Sequence, residues 1–258
     1  MAAESRRFKI AARQALEGAA RPPVVARQEF EARLTALRVS EKNYTHQGDA
    51  IAAERRRLPM VEVDPTTELI GPHGPVTLLD VFEGRTQLIA YYFMWHTGRP
   101  AQEQCQGCTW VTSQIGELSY FHARDVTFAV FSQGPYGESV RYRDFMGWQM
   151  PWYSARGSLE SLLTGRKIGR MHLVCYLRHG SEVFETYWTT SRGVEVMDNS
   201  YRLLDLTVYG RQEKHEDSPV GWAQTYAPGE LTFEGRPLSQ WARVEAGRPD
   251  ELQTKEST

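Results

Sequence analysis

The run Leu88-Ile89-Ala90-Tyr91-Tyr92-Phe93-Met94-Trp95, followed by Cys105-Gln106-Gly107-Cys108, is the most informative part of this chain. The first run is almost entirely apolar, which is typical of a strand that is buried on both faces. The residues from Thr109 to Phe121 have the spacing of an amphipathic helix. The sequence therefore predicts two cysteines, spaced C-x-x-C, at the junction between a strand and a helix.

This junction favours thiol chemistry. The unpaired N–H groups at a helix N-terminus favour a nearby thiolate over a thiol. A second thiol one turn further along can attack a mixed disulfide that the first thiol has formed. The pair therefore indicates a thioredoxin-like redox site.

The segments that follow predict a mixed sheet. Val126–Phe131 is a near-continuous apolar run, as a buried parallel strand should be. His172–Leu177 and Glu182–Trp188 flank a short polar turn and predict an antiparallel hairpin. Helices are predicted at Glu138–Met146 and Gly193–Leu206. The order of strand, cysteine-bearing helix, strand, helix, hairpin and helix predicts an α/β, thioredoxin-like fold with a central mixed sheet.

Changes in composition and hydrophobic pattern divide the 258 residues into four predicted parts. These are a flexible lead-in (1–23), an N-terminal helical extension (24–59), a thioredoxin-like domain (60–211) and a polar, partly docked C-terminal tail (212–258).

The N-terminal extension is predicted to hold two helical segments. Phe30, Leu34 and Leu37 follow helical spacing, and a second segment runs from about Ser40 to Leu58. A thioredoxin fold does not need these helices, yet their apolar side chains must leave water. Packing on a second copy of the chain predicts a homodimer, and packing on the chain's own domain is the alternative.

Composition and charge limit the kinds of partner and location that the sequence predicts. The formal net charge is only −2, which does not indicate a nucleic-acid or anionic-membrane partner. No apolar run reaches the roughly 18 residues of a transmembrane helix. The N-terminus lacks the apolar core of a secretory signal, and Glu4 and Glu17 argue against a transit peptide. Three cysteines do not make a disulfide scaffold, so a reducing cytoplasm is the expected location.

Several segments together resemble the thioredoxin-like bacterial family catalogued as domain of unknown function 899, which is labelled dithiol-disulfide isomerase-like. The resemblance covers about residues 24 to 215 and implies a thioredoxin-like fold, with much less implied about activity. The matching stretches are Ala52-Ala53-Glu54-Arg55-Arg56-Arg57-Leu58-Pro59, Phe82-Glu83-Gly84-Arg85, Gln87-Leu88-Ile89, Cys105 to Cys108, Arg124-Asp125-Val126-Thr127, Met146-Gly147-Trp148, Pro151-Trp152, Phe184-Glu185-Thr186-Tyr187 and Leu203-Leu204-Asp205-Leu206-Thr207.

The chain departs from thioredoxins proper at one important place. Thioredoxins carry a cis-proline opposite the dithiol, just before the first strand of the hairpin. The matching place here is near Arg170-Met171, and it holds no proline. Substrate docking of the thioredoxin type is therefore not implied.

The catalytic candidates are Cys105, Cys108 and His96. Cys105, at the start of the helix, is expected to be the attacking thiolate, and Cys108 the resolving thiol. His96 follows the strand directly and is expected to favour the thiolate as a nearby cation or to shuttle a proton. The competing interpretation is a pair of thiols left on a fold that no longer does chemistry.

No metal and no cofactor are expected. Zinc normally needs four ligands from paired motifs, and the chain has no second C-x-x-C. A copper-type site would need the two thiols together with His96 or His172, which is a weak pattern. Cys175 lies within an apolar strand and is expected to be a small buried hydrophobe.

Two classes of function follow. The first is a thiol-disulfide oxidoreductase that acts on a protein or small-molecule thiol or disulfide of unknown identity. The second is a non-enzymatic thioredoxin-like binding or redox-sensor module. The dithiol favours the first, whereas the missing cis-proline and the N-terminal helices favour the second.

Overall fold

The computed structural model describes residues 6–253. The first five residues of the predicted lead-in, including Glu4, and the last five of the predicted tail lie outside the described residues. The helices are α1 Arg6–Ala15, α2 Arg27–Arg55, α3 Gln106–Ser113, α4 Ser119–His122, α5 Tyr136–Met146, α6 Leu159–Leu162, α7 Asn199–Leu204 and α8 Trp241–Glu245.

Ten strands form two sheets within the described residues. The larger sheet has eight strands in the order β1-β8-β7-β4-β5-β6-β2-β3, and β9 and β10 form a small separate pair. The strands are β1 Val61–Val63, β2 Glu68–Gly71, β3 Gly74–Thr77, β4 Gln87–Phe93, β5 Val126–Ser132, β6 Trp152–Ser154, β7 His172–His179, β8 Glu182–Thr190, β9 Thr232–Phe233 and β10 Arg236–Pro237.

The centre of the large sheet confirms the predicted thioredoxin-like fold. Strand β4 pairs in parallel with β5 on one side and antiparallel with β7 on the other. Strands β7 and β8 form the predicted antiparallel hairpin. Both β4 and β5 are buried along most of their length, as their apolar runs predict.

Alternation along the strands divides the core into two apolar clusters. Tyr91 and Phe93 of β4 belong to one cluster, whereas Ala90 and Tyr92 belong to the other. Successive side chains of a strand point to opposite faces, so the sheet separates the clusters. The first cluster contains Cys108 and is called the dithiol face below.

Two of the predicted helices are each divided in the structure. The residues predicted to form one helix from Thr109 to Phe121 form α3 and α4, because the chain tightens into a turn after Ser113 and passes through Gly116. The predicted helix at Gly193–Leu206 is a 3-10 segment followed by α7. Asp198 makes the break, since its carboxylate accepts hydrogen bonds from the first amides of α7.

The N-terminal extension holds one continuous helix, α2, where two segments were predicted. Ser40 lies inside this helix and does not cap it. The division of the chain into four parts stays a prediction. No helix in the described part of the chain is long and apolar enough to cross a membrane.

Candidate dithiol site

Cys105 occupies the N-cap position of α3. Its sulfur accepts a hydrogen bond of 3.3 Å from the backbone N–H of Cys108, and its carbonyl accepts one of 2.9 Å from the N–H of Thr109. The helix therefore begins on the cysteine itself, where the unpaired amides of its first turn point toward the sulfur.

The two thiols differ in exposure. Cys105 is 9% exposed and Cys108 is fully buried. The Cys108 sulfur accepts a hydrogen bond of 3.4 Å from the N–H of Met94, and the Cys105 thiol contacts the Met94 sulfur at 3.8 Å. Cys105 is therefore the more accessible of the two thiols.

Their pKa values differ in the same sense. A hydrogen bond from the Cys108 side chain is the main cause that lowers the pKa of Cys105 to about 7. The amides of Cys108 and Gly107 and the charge of His96 also lower it, while burial acts against them. Burial, and then interaction with the Cys105 sulfur, raises the pKa of Cys108 well above its usual value. At neutral pH Cys105 is partly a thiolate, whereas Cys108 is a thiol.

His96 is exposed and lies on the loop between β4 and α3. Its Nδ1 donates a hydrogen bond of 2.7 Å to the carbonyl of Glu103. That bond fixes the ring beside the residues that lead into the dithiol. The structure thus brings His96 near enough to Cys105 for its charge to favour the thiolate.

Gln104, which sequence reasoning missed, organises this loop. The side chain is only 3% exposed. Its amide donates to the carbonyls of His96 and Arg99 at 2.9 and 3.0 Å, and its oxygen accepts from the His96 N–H at 3.0 Å. Its position next to Cys105 was the one available signal.

Tyr91 lies beneath the dithiol and was also missed. Its hydroxyl is buried and has no hydrogen-bond partner of ordinary geometry among the described residues. The hydroxyl faces Cys108, where it favours the thiolate and so acts to lower the pKa of that cysteine. The only sequence signal was that Tyr91 and Tyr92 are successive residues of an apolar strand, so that their side chains point to opposite faces of the sheet.

Met171 comes directly before strand β7. It packs against the dithiol face, and its methyl group lies 3.3 Å from the point where a Cβ on Gly107 would be. A flexible thioether therefore covers the turn between the two cysteines. No cis peptide bond occurs in the described residues.

The C-terminal segment packs against the same site. The amide of Leu231 donates a hydrogen bond of 3.1 Å to the side chain of Gln106, which lies between the two cysteines. Gln240 is fully buried and donates to the Ala101 carbonyl and the Tyr142 hydroxyl at 2.8 and 2.6 Å. The segment thus forms part of the surroundings of the dithiol.

A mainly apolar cleft of about 630 Å³ opens beside α3. Gln106 and Trp110 form one wall, and Tyr201, Leu231 and Phe233 are among the residues of the others. This volume is within the range of small-molecule sites.

The tryptophans near the site are divided between core and cleft. Trp148 and Trp152 are buried on the dithiol face, with ring centroids 5.7 Å apart. Trp110 lies 4.3 Å from Tyr201 and lines the cleft. Trp95 donates a hydrogen bond of 3.0 Å to Glu138.

Cys175 and His172 lie outside the dithiol site. Burial raises the pKa of Cys175, on β7, to about 11, and this thiol is therefore protonated at neutral pH. His172 packs against Trp188, and its Nε2 donates to the carbonyl of Lys167 at 3.0 Å. In the part of the chain that the structure describes, no three His, Cys, Asp or Glu side chains are arranged to hold a metal ion.

Comparison with known proteins gives one family match. The model of the family described as "Bacterial protein of unknown function (DUF899)" matches residues 19–227. A search of curated proteins found no match.

Three solved structures resemble part of the chain. A putative thiol:disulfide interchange protein DsbE from Chlorobium tepidum has 12% identity and a TM-score of 0.38, covering 57% of this chain and 97% of that one. Peroxidoxin BcpB from Mycobacterium tuberculosis has 14% identity and a TM-score of 0.39, covering 54% and 93%. A thioredoxin-like protein from Aeropyrum pernix has 15% identity and a TM-score of 0.30, covering 62% and 99%.

Proposed function

The chain belongs to the bacterial family of unknown function DUF899, and we propose that it is a thiol-disulfide oxidoreductase that uses Cys105 and Cys108. This proposal rests on the difference in burial and pKa between the two thiols. Cys105 caps a helix and has a pKa lowered to about 7, while Cys108 is buried one turn further on and stays protonated. This division suits one thiol to attack and the other to resolve.

The first step is attack of the Cys105 thiolate on a substrate disulfide. A bond forms between Cys105 and one substrate sulfur, and the substrate disulfide bond breaks. The second substrate sulfur leaves as a thiolate and takes a proton from solvent. Cys105 is then held in a mixed disulfide and carries no negative charge.

The second step is resolution by Cys108. Since Cys105 is no longer charged in the mixed disulfide, one of the causes that raise the pKa of Cys108 is removed. Cys108 attacks the Cys105 sulfur, and the remaining substrate sulfur takes up the proton that Cys108 loses and leaves as a thiol. The Tyr91 hydroxyl is placed to donate a hydrogen bond to the Cys108 thiolate during this step. The substrate gains two electrons, and the protein is left with a Cys105–Cys108 disulfide.

Mass spectrometry after mild oxidation tests this proposal. The peptide that contains both cysteines should lose two hydrogens and regain them with a dithiol reductant. Cys105→Ser and Cys108→Ser should each abolish the change, and the control Cys175→Ser should leave it intact. Two freely alkylated thiols after oxidation, or a disulfide to Cys175, would refute the proposal. The reduction potential of the pair then gives the direction of electron transfer. A reducing cytoplasm stays the expected location.

The cleft beside α3 supports a second candidate function, a binding or redox-sensor module. The cleft is mainly apolar, and its lining includes Gln106, which lies between the cysteines. A sensor would form the same disulfide but would not turn over a disulfide substrate in the presence of an excess of reductant. Steady-state reduction of a small aromatic disulfide therefore separates the two candidates.

A further inference from the structure

Helix α2 carries a column of large apolar side chains spaced seven residues apart. Phe30, Leu37, Tyr44 and Ile51 are 47%, 55%, 60% and 41% exposed, and no residue of the helix is buried. Seven residues make almost two helical turns, with a drift of only about 20° per heptad. The four side chains therefore lie on one face of the helix and are in contact with water.

Helices that pack along one another carry apolar residues at two positions of each seven, and this column supplies one of the two. Helix α7 meets the column at Tyr44. Arg202 donates a hydrogen bond of 2.9 Å to the Tyr44 hydroxyl, and the next residue, Leu203, is 63% exposed. Large apolar side chains grouped on one exposed face mark an interaction site rather than scattered surface residues.

We propose that this surface pairs two copies of the chain, with their α2 helices antiparallel and Tyr44 beside the two-fold axis. The charges beside the column are self-complementary in this arrangement. Arg33 and Glu54 lie on the same flank of the column, on opposite sides of Tyr44 and at nearly equal distances along the helix. Arg33 of each copy therefore faces Glu54 of the partner copy.

A parallel pair aligns the two helix dipoles in the same direction, which is unfavourable. The antiparallel pair is therefore the favoured arrangement.

The length of α2 is sufficient for a stable contact. Its 29 residues span about 44 Å at 1.5 Å per residue. A standard interface buries roughly 800 Å² per partner, and the exposed Leu203 of α7 adds to the surface that α2 offers.

Sedimentation equilibrium of the full chain between about 1 and 100 µM, a range typical of weak to moderate dimers, tests the proposal. The expected mass is twice the 29.5 kDa of one chain. Leu37→Glu should weaken dimerisation at least about 100-fold, because it places a charge in the centre of the contact. Val39→Glu is the matched control, since Val39 is 60% exposed on the opposite face of the same helix and should leave the dimer intact.

A charge exchange tests the orientation. Arg33→Glu and Glu54→Arg should each weaken the dimer, and the double variant should restore it if the helices are antiparallel. Circular dichroism should show unchanged folding in every variant, because the altered side chains are exposed. A wild-type chain that is monomeric at all concentrations, or a dimer that Leu37→Glu leaves intact, would overturn the proposal. Failure of the double variant to recover would overturn the antiparallel arrangement.

Discussion

Gln240, in the C-terminal segment, donates a hydrogen bond of 2.6 Å to the hydroxyl of Tyr142 on α5. The same hydroxyl is bonded at 2.7 Å to Thr109, which in turn donates to the carbonyl of Cys105. A buried polar chain thus joins the last part of the molecule to the backbone of the dithiol.

The first prediction concerns this chain. Gln240→Leu should lower the free energy of unfolding by about 1–3 kcal/mol. The substitution removes the amide that donates to the buried Ala101 carbonyl and to the Tyr142 hydroxyl. Urea denaturation and limited proteolysis of the C-terminal segment measure the effect. Gln149→Leu is the control, since Gln149 is exposed and its side chain bonds to the nearby Gly147 carbonyl. Equal losses in both variants would contradict this account.

The second prediction concerns the pH dependence of Cys105. Its rate of alkylation should rise with pH with a midpoint near 7, whereas in the unfolded chain the midpoint should lie near 8.5. Because folding lowers this pKa, the stabilisation that it gives the reduced protein is fully present above the unfolded pKa. That stabilisation is lost as the pH falls through about 7.

The third prediction concerns His96 as a source of charge near Cys105. His96→Gln should move the alkylation midpoint slightly upward, because the charge of His96 is one of the smaller causes that lower the pKa of Cys105. His122→Gln, at an exposed position on α4, should leave the midpoint unchanged. An unchanged midpoint in His96→Gln would remove His96 from the site.

The fourth prediction compares two adjacent tyrosines. Tyr91→Phe should slow release of a coloured thiol from its mixed disulfide with Cys105 by about tenfold, because Cys108 loses the hydroxyl that favours its thiolate. It should not destabilise the fold, since that hydroxyl has no partner to lose. Tyr92→Phe should leave the release rate unchanged. It should lower the free energy of unfolding by about 1 kcal/mol or more, because the Tyr92 hydroxyl is bonded to that of Tyr176 at 2.7 Å. A normal release rate in Tyr91→Phe would show that the hydroxyl has no part in resolution.

The fifth prediction is that the purified protein contains no stoichiometric metal. The sequence offers few soft ligands, and a closed four-coordinate site needs more than one dithiol. Elemental analysis of protein prepared without added metal measures this. One equivalent of zinc, copper or iron bound per chain would instead support a metal-binding role for the dithiol.

The sequence was most informative where local pattern and burial agree. The apolar runs of β4 and β5 and the polar turn between β7 and β8 are enough to predict the centre of the sheet, and the C-x-x-C spacing locates the dithiol. These features depend on neighbours in sequence.

The rest depends on contacts between distant segments. Gln240 resembles any other glutamine in a polar segment until the fold buries it against Tyr142. Tyr91 and Tyr92 differ only in the face of the strand that each occupies, and pattern alone does not reveal which face holds the thiols. Helix boundaries were missed at Ser113 and Asp198 because turn and capping hydrogen bonds decide them.

The division of the core by the central sheet has a consequence for how this protein responds to substitution. On the dithiol face, among the described residues, the hydroxyls of Tyr91 and Thr112 and the indole N–H of Trp148 are buried without hydrogen-bond partners. Each such group lowers the stability of the folded state by about 1–3 kcal/mol. On the opposite face the Tyr92 and Tyr176 hydroxyls satisfy one another, although the Nδ1 of His172 is buried there without a described partner. The core therefore gives up most stability around the reactive sulfur, and stabilising substitutions should be easiest to find on the dithiol face.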